Sequence, residues 1–383
     1  MKALILTCHT GEGHNSTALA IKEGFFARGH TCDIADALGF ISPKFSAFMS
    51  TWHSRIYRHA PKMFDTGYLY AEAHPSVFVE GTPAYKYLAS GTKRLLDLVQ
   101  AQEYDLIICA HVFSGLMVSE LRRRYGAGIP ACFVATDYTC SPITGNCNLD
   151  LFFIPHEGLA DEFVAAGTPR ERLVAAGLPV RQVFWESTDK AEARRTLGLA
   201  DIDRHVLLMC GSMGCGPMEE LALEISGRLA PGSLLTILCG TNTKLLHALE
   251  EHNRKNLRPL GYTKSVPLLM DSADLFLTKP GGISISEAAA KRLPLLLIDA
   301  VGGCEDRNLD YFLSRGWAQT ADGTPALAHR CVDLLEDSAA RSAMAEAMAE
   351  AFSGDAVERI WDSLSRLPLS TGFVRENSPP CNT

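Results

Sequence analysis

Leu277-Thr278-Lys279-Pro280-Gly281-Gly282-Ile283-Ser284-Ile285-Ser286-Glu287 is the stretch whose reading decides the fold. An apolar run, Ala273 to Leu277, breaks at Pro-Gly-Gly, and a helix-favouring segment, Ser286 to Lys291, follows. That order predicts a strand, a glycine turn and a helix start. Glycines without side chains let a ligand approach the backbone, and the free N–H groups at a helix start favour an anion. A second apolar run, Leu295 to Ile298, predicts a strand that delivers Glu305-Asp306-Arg307-Asn308 to the same sheet edge. Together these residues read as a nucleotide-sugar pocket. Ser284-x-x-Glu287 fits a capping box equally well, with the glutamate only satisfying a helix end. Within this stretch both readings stand.

Moving toward the N-terminus, the same grammar recurs. Val206 to Cys210 is an apolar run ending at Gly211-Ser212-Met213-Gly214, with a helix predicted over Met218 to Arg228 and a further strand over Leu234 to Cys239. Lys2 to Cys8 is another continuous apolar run, as expected of a parallel strand buried on both faces. It enters His9-Thr10-Gly11-Glu12-Gly13-His14-Asn15-Ser16, then a helix with Ala18, Leu19, Ile21, Phe25 and Phe26 on its apolar side. The turn is not G-x-G-x-x-G, which argues against a dinucleotide-dependent dehydrogenase. Strands are predicted over Cys32 to Ala35, Asp105 to Cys109, Ala131 to Ala135 and Asp150 to Pro155, and helices near Leu95 to Val99 and Gly115 to Tyr125. His9, His14, His111 and Asp137 then fall at carboxyl ends of strands, the edge where open α/β sheets bind ligands. The fold class is therefore α/β, with two Rossmann-like halves facing each other across a cleft. Gly167 to Arg181 reads as a crossing loop and Ser187 to Arg204 as a polar linker. The boundaries expected are 1–180 for the first domain, 181–352 for the second, and 353–383 for a C-terminal helix that can pack back on the first domain, with a loose tail. Ala339 to Leu367 carries a helical rhythm that Pro368 stops.

The bulk numbers agree. The chain has 383 residues, 47% hydrophobic and 21% charged, as for soluble globular domains. Its net charge of −8 argues against nonspecific nucleic-acid binding. No apolar run reaches the roughly 18–20 residues that span a bilayer, and the N-terminus is not that of a signal peptide. A cytoplasmic location is expected. Twelve cysteines occur without a C-x-x-C pair, which favours buried thiols over disulfides or zinc. Asp201-Ile202-Asp203 lies in the polar linker, so no metal site is expected there.

Phe45, Phe48, Met49, Trp52 and Ile56 form one helical stripe, flanked by Lys44, Arg55, Arg58, His59 and Lys62 and extended by Met63-Phe64. A core helix and an interfacial membrane helix both fit that pattern.

Gly11-x-Gly13-His14, Thr136-Asp137-Tyr138, Gly177-Leu178-Pro179-Val180-Arg181, Thr278-Lys279-Pro280-Gly281-Gly282 with Glu287, and Glu305-x-x-Asn308 occur in this order. With them the chain resembles the processive diacylglycerol glucosyltransferases and monogalactosyldiacylglycerol synthases, inverting glycosyltransferases of the GT-B fold, over about residues 3 to 350. The resemblance implies a UDP-sugar donor, UDP-glucose or UDP-galactose, held by the second domain. Glu287 would bond the ribose hydroxyls, and Lys279, Gly281, Gly282, Ile283 and the helix start would receive the diphosphate. Glu305 and Asn308 would face the hexose, and Gly211, Ser212, Met213 and Gly214 would approach the phosphates or acceptor from the opposite strand edge. Where the family carries glutamine before the glutamate, this chain has Cys304. The implied acceptor is diacylglycerol or a related lipid, taken beside Gly11, Gly13 and His111. The Phe45, Phe48, Trp52, Arg55 and Arg58 face would rest on an anionic membrane surface, the inner face of the cell membrane. No cofactor is implied, and no metal.

Inverting transfer needs a base for the acceptor hydroxyl, support for an oxocarbenium-like carbon and a way to hold the departing charge. His14, in a glycine turn with an ordinary pKa near 6.5, suits the base, with Asp137 as alternative or orienting partner. Lys279 and Arg181 are basic candidates for the departing diphosphate. Two rivals share the architecture: a UDP-N-acetylglucosamine-using transferase or 2-epimerase, and a non-catalytic nucleotide-sugar-binding protein.

Overall fold

The short apolar runs pair into two sheets, seen in a computed structural model that describes residues 1–8, 12–59, 73–298 and 302–367. The first sheet holds β1 (Lys2–Thr7), β2 (Thr31–Asp36), β3 (Leu106–Cys109), β4 (Ala131–Val134), β5 (Leu151–Ile154) and β6 (Leu173–Ala175). Their order is β2-β1-β3-β4-β5-β6, all parallel. The second holds β7 (Arg204–Met209), β8 (Ser233–Gly240), β9 (Leu257–Gly261), β10 (Leu275–Thr278), β11 (Leu295–Leu297) and β12 (Ala318–Gln319). It is ordered β12-β11-β10-β7-β8-β9 and is also parallel. The expected two Rossmann-like domains are present.

Strand order says where the sites must lie. In each sheet the chain winds one way, returns to the middle and winds the other way, which leaves a crevice at the carboxyl edge where the direction changes. In the first sheet this is between β1 and β3. In the second it is between β7 and β10. Helix α1 (Glu12–Ala27) leaves the first crevice, and α2 (Pro43–His59) packs Phe45 and Met49 against the core. Helix α3 (Val112–Tyr125) follows β3, α4 (Met218–Arg228) follows β7, α5 (Gly282–Ala290) follows β10, and α6 (Cys304–Ser314) follows β11.

Several expectations are corrected by this arrangement. Leu19 and Phe26 of α1 point to solvent, at 46% and 54% exposure, because the face against the sheet is Ala18, Ile21 and Phe25. The segment expected as a crossing loop contains β6, an edge strand paired with β5. The polar linker contains a helix, Lys190–Thr196, capped by Asp189, and its last residue, Arg204, already starts β7. Helix α5 begins four residues earlier than the helix-favouring stretch suggested, with Gly281 at its N-cap and no side-chain cap. Ser284 therefore sits inside the first turn and caps nothing. The C-terminal rhythm is broken into Ser338–Ala351 and α7 (Ala356–Leu364). Gly11, His9, Met63 and Phe64 lie outside the described residues, as do the side chains of Ile56, Arg55 and Arg58.

Each sheet keeps a core of its own on one face, and a third cluster bridges the two domains. This bridging cluster runs from Leu4 and Cys109 of the first sheet to Phe276 and Leu295 of the second and Phe312 of α6. Tyr138 lies in its middle, with ring centroids 5.6 Å from Tyr311 and 4.9 Å from Phe312. Phe352 and Trp317 close the group at 5.0 Å from each other. Helix α7 returns to the first domain, where Trp361 meets Phe25 edge-on at 5.2 Å and stacks on His30 at 4.7 Å. Ile360 and Leu364 are buried there with Ile5 and Ile21.

Candidate functional site

The first crevice supplies the histidines. His14 is in the first turn of α1, and His111 is the N-cap of α3, its Nδ1 accepting from Phe113 N–H at 3.1 Å. The rings lie 4.8 Å apart, edge to face. His14 Nδ1–H donates to the Ala110 carbonyl at 2.8 Å, which fixes the tautomer and leaves Nε2 with the lone pair. Burial pushes the imidazole down to about 4, so it stays neutral near pH 7 and able to accept a proton.

Asp137, just beyond the end of β4, joins this group through Thr136. The Thr136 hydroxyl lies 3.2 Å from His14 Nδ1 and donates to Asp137 Oδ2 at 3.4 Å. Burial raises the Asp137 carboxyl to about 6, against hydrogen bonds from Asn308, Thr136 and Cys304 that favour the charged form.

The second crevice supplies α5 and its flanks. A Cβ on Gly282 would stand 2.2 Å from the Thr136 carbonyl oxygen, so the glycine admits the other domain's backbone. A Cβ on Gly13 would stand 3.6 Å from Ile283 Cγ1. Both close approaches put the start of α5 against His14 and Asp137. Lys279 Nζ meets Glu305 Oε1 at 2.5 Å, and Lys279 Cε would be 3.3 Å from a Cβ on Gly211. Gly211 and Gly214 both take positive φ, 67° and 56°; a Cβ on Gly214 would be 2.3 Å from the Cys239 carbonyl oxygen, which seats the 211–214 loop on β8. Ser212 and Met213 lie at its exposed tip and partly buried side.

Glu287 stands apart from these bonds. Its carboxylate has no hydrogen-bond partner among the described residues, and desolvation raises it to about 8 against the opposing field of Arg181. Arg181 itself is paired with Glu23 at 2.8 Å. An open carboxylate beside an uncapped helix start is suited to accept hydroxyl hydrogen bonds while the helix N–H groups receive an anion.

Asn308 is placed differently from the expected hexose contact. It is fully buried; Oδ1 accepts from Tyr138 N–H at 2.6 Å, and Nδ2 donates to Asp137 Oδ1 at 2.8 Å and to the Pro280 carbonyl at 2.9 Å. Glu305 is buried against Lys279. Sequence reasoning missed the partner of Tyr138, whose hydroxyl meets Ser286 at 2.8 Å across the domain junction. Thr136-Asp137-Tyr138 at a strand end was the available signal.

The stripe on α2 splits in two. Phe45 and Met49 pack against the core, and Phe45 meets Tyr87 edge-on at 5.0 Å. Phe48 and Trp52, one turn apart on the adjoining face, are 60% and 48% exposed. Among the described residues no helix is long and apolar enough to cross a membrane, and no group of three or more His, Cys, Asp and Glu is placed to hold a metal. The eleven described cysteines are free thiols.

Comparison with known proteins bears on what this site does. Residues 14–180 match the family model described as monogalactosyldiacylglycerol (MGDG) synthase, and residues 205–360 match that of the glycosyltransferase family 28 C-terminal domain. The processive diacylglycerol beta-glucosyltransferase of Bacillus cytotoxicus is 27% identical over 99% of this chain and 97% of its own length. That of Bacillus cereus is 27% identical over 99% and 96%. Among solved structures, Acinetobacter baumannii MurG superposes with a TM-score of 0.62 at 13% identity, covering 96% of this chain and 99% of its own. Anabaena HepE, solved with UDP and glucose, superposes with a TM-score of 0.58 at 15% identity over 96% and 100%. These structures share the two-domain fold.

Proposed function

We propose that the chain, whose two halves match an MGDG synthase model and a glycosyltransferase family 28 C-terminal model, moves a hexose from a UDP-sugar to diacylglycerol or a related membrane lipid. The observation that carries this reading is the meeting of two half-sites. A histidine with a fixed tautomer lies on one sheet edge, and an uncapped helix start lies against it from the other. The names of the full-length relatives support diacylglycerol as acceptor and glucose as the first donor to try.

In this reading His14 Nε2 takes the proton of the acceptor hydroxyl as its oxygen attacks the anomeric carbon. The bond from that carbon to the UDP oxygen breaks, and inversion follows from attack on the opposite face. The charge leaving with UDP is met by the first N–H groups of α5 and by Lys279. Asp137, reached through Thr136, supports the imidazolium that forms. Glu287 accepts from the ribose hydroxyls. The exposed Phe48 and Trp52 hold the first domain against an anionic bilayer surface, which brings the lipid hydroxyl to the cleft.

Incubating the protein with UDP-glucose or UDP-galactose and diacylglycerol in anionic micelles tests this directly. Glycolipid product is expected, and His14→Ala is expected to lower turnover about 10²- to 10⁴-fold, the range for loss of a general base. No lipid product from either donor, or an alanine variant with unchanged turnover, overturns the assignment. With UDP-N-acetylglucosamine as the only sugar nucleotide, its conversion to the C2 epimer in place of glycolipid formation would identify a 2-epimerase.

A further inference from the structure

The most tightly held polar group in the junction is one the proposed transfer chemistry does not use. Asn308 has two amide N–H groups, and both are committed: one to Asp137 Oδ1, the other to the Pro280 carbonyl. Its carbonyl oxygen receives the Tyr138 backbone N–H, the shortest of the three bonds at 2.6 Å. With no N–H left over and no exposed surface, the side chain has nothing to offer a sugar hydroxyl that needs a donor. It does span the domains: Asn308 lies on α6 of the second domain, and Asp137 and Tyr138 follow β4 of the first.

From the bonded atoms a line can be drawn through the site. His14 Nδ1–H points to the Ala110 carbonyl, with the Thr136 oxygen close by; the Thr136 hydroxyl donates to one oxygen of Asp137; Asn308 donates to the other. We propose that Asn308 is a positioning residue for the transfer reaction: delivered from the second domain, it orients the Asp137 carboxylate that supports His14, so that the base is fully set only when the domains are together. This rests on the transfer reading above and replaces the expected hexose contact at this position.

The groups facing Asp137 come from three elements. Thr136 and, through it, His14 are on its own side. Cys304 and Asn308 come from α6, with Glu305 of the same helix adding a like charge that raises the carboxyl and is itself paired with Lys279. The Asn308 bond favours the charged form of Asp137, so its loss moves the carboxyl further up. A protonated Asp137 no longer supports the imidazolium. The acid limb of the turnover profile should therefore move to higher pH when Asn308 is replaced, whereas a merely structural defect lowers the whole profile without moving it.

The test uses the full chain, with UDP-glucose and diacylglycerol, across pH 5 to 9. Asn308→Asp is the main variant, since it keeps the shape and the acceptor oxygen for Tyr138 N–H but removes the N–H that faces Asp137. Asn308→Ala is the second, and circular dichroism checks that both fold. For Asn308→Ala, kcat is expected to fall about tenfold to a hundredfold, the scale of a misplaced catalytic group, with KM for the donor little changed and the acid limb shifted up. Asn308→Asp is expected to lose kcat most at high pH, where two carboxylates face each other. In an Asp137→Ala background, Asn308→Ala should cost almost nothing more in kcat, because its effect runs through Asp137. A raised donor KM with kcat intact would return Asn308 to sugar binding, and equal losses with and without Asp137 would make it structural; either result overturns the proposal. If the wild-type chain transfers no sugar, the transfer reading fails and this role fails with it. If the wild type is active and the Asn308 variants match it, only this role fails.

Discussion

At the scale of single residues, burial decides the protonation of the site. His14 at about 4, Asp137 at about 6 and Glu287 at about 8 are each displaced toward the neutral form by the same cause, desolvation. Glu287 gives the cleanest reading, because among the described residues no protein donor competes for its oxygens. Accepting from both ribose hydroxyls, one at each oxygen, calls for the carboxylate, and raising the pH toward about 8 deprotonates it, so affinity for UDP should rise with pH and level off above that value. Between about pH 6.5 and 8 the rise should approach tenfold per unit for a single proton released on binding, and Glu287→Gln should bind weakly with a flat profile. Calorimetric titration of UDP across this range checks it; a wild-type affinity independent of pH would sink the ribose role. His14, Asp137 and Glu287 were legible in the sequence because each follows a predicted strand or opens a predicted helix. The commitments of Asn308 were not, because its partners at 137 and 138 are about 170 positions away and belong to another domain.

At the scale of elements, the strands that could be read were those buried on both sides, such as β1 and β8. The strands that escaped were β6, β9 and β12, and each lies at an end of its sheet. An edge strand needs less apolar sequence and tolerates Pro259 and Arg258, since one side of its backbone is unpaired. Helix α2 shows the same limit: one apolar stripe in the sequence serves two faces, an inner one with Phe45 and Met49 and an outer one with Phe48 and Trp52. Replacing Phe48 and Trp52 together by serine should leave the fold and the turnover of a detergent-dispersed acceptor intact, and should lower co-sedimentation with anionic liposomes by about tenfold or more, as expected on losing two large apolar anchors. Unchanged co-sedimentation would show that these side chains do not contact the bilayer.

At the scale of the whole molecule, the two-domain architecture was legible from the repeated strand, glycine turn and helix, but the core cluster that bridges the domains was not. Periodicity reports which face of an element is buried, not what covers it. That core predicts one cooperative transition where two might be expected from the domain count. Ile360 of α7, fully buried against the first domain, offers a probe. Ile360→Ala should cost about 2–5 kcal/mol, and denaturant unfolding followed by tryptophan fluorescence and by far-ultraviolet dichroism should move together as a single curve. Two separated transitions would show that the domains unfold independently.

The aromatic group around Tyr138 bears on how such enzymes can be recombined. Tyr138 comes from the first domain, Tyr311, Phe312 and Trp317 from the second, and Phe352 from the strand of chain that leads back. A chimera that exchanges the donor half for that of a relative, cut near residue 180, would inherit one side of this interlock without its mate. To graft a relative's second domain onto this first domain, the join must carry position 138, the 311–317 segment and the return segment as a matched set.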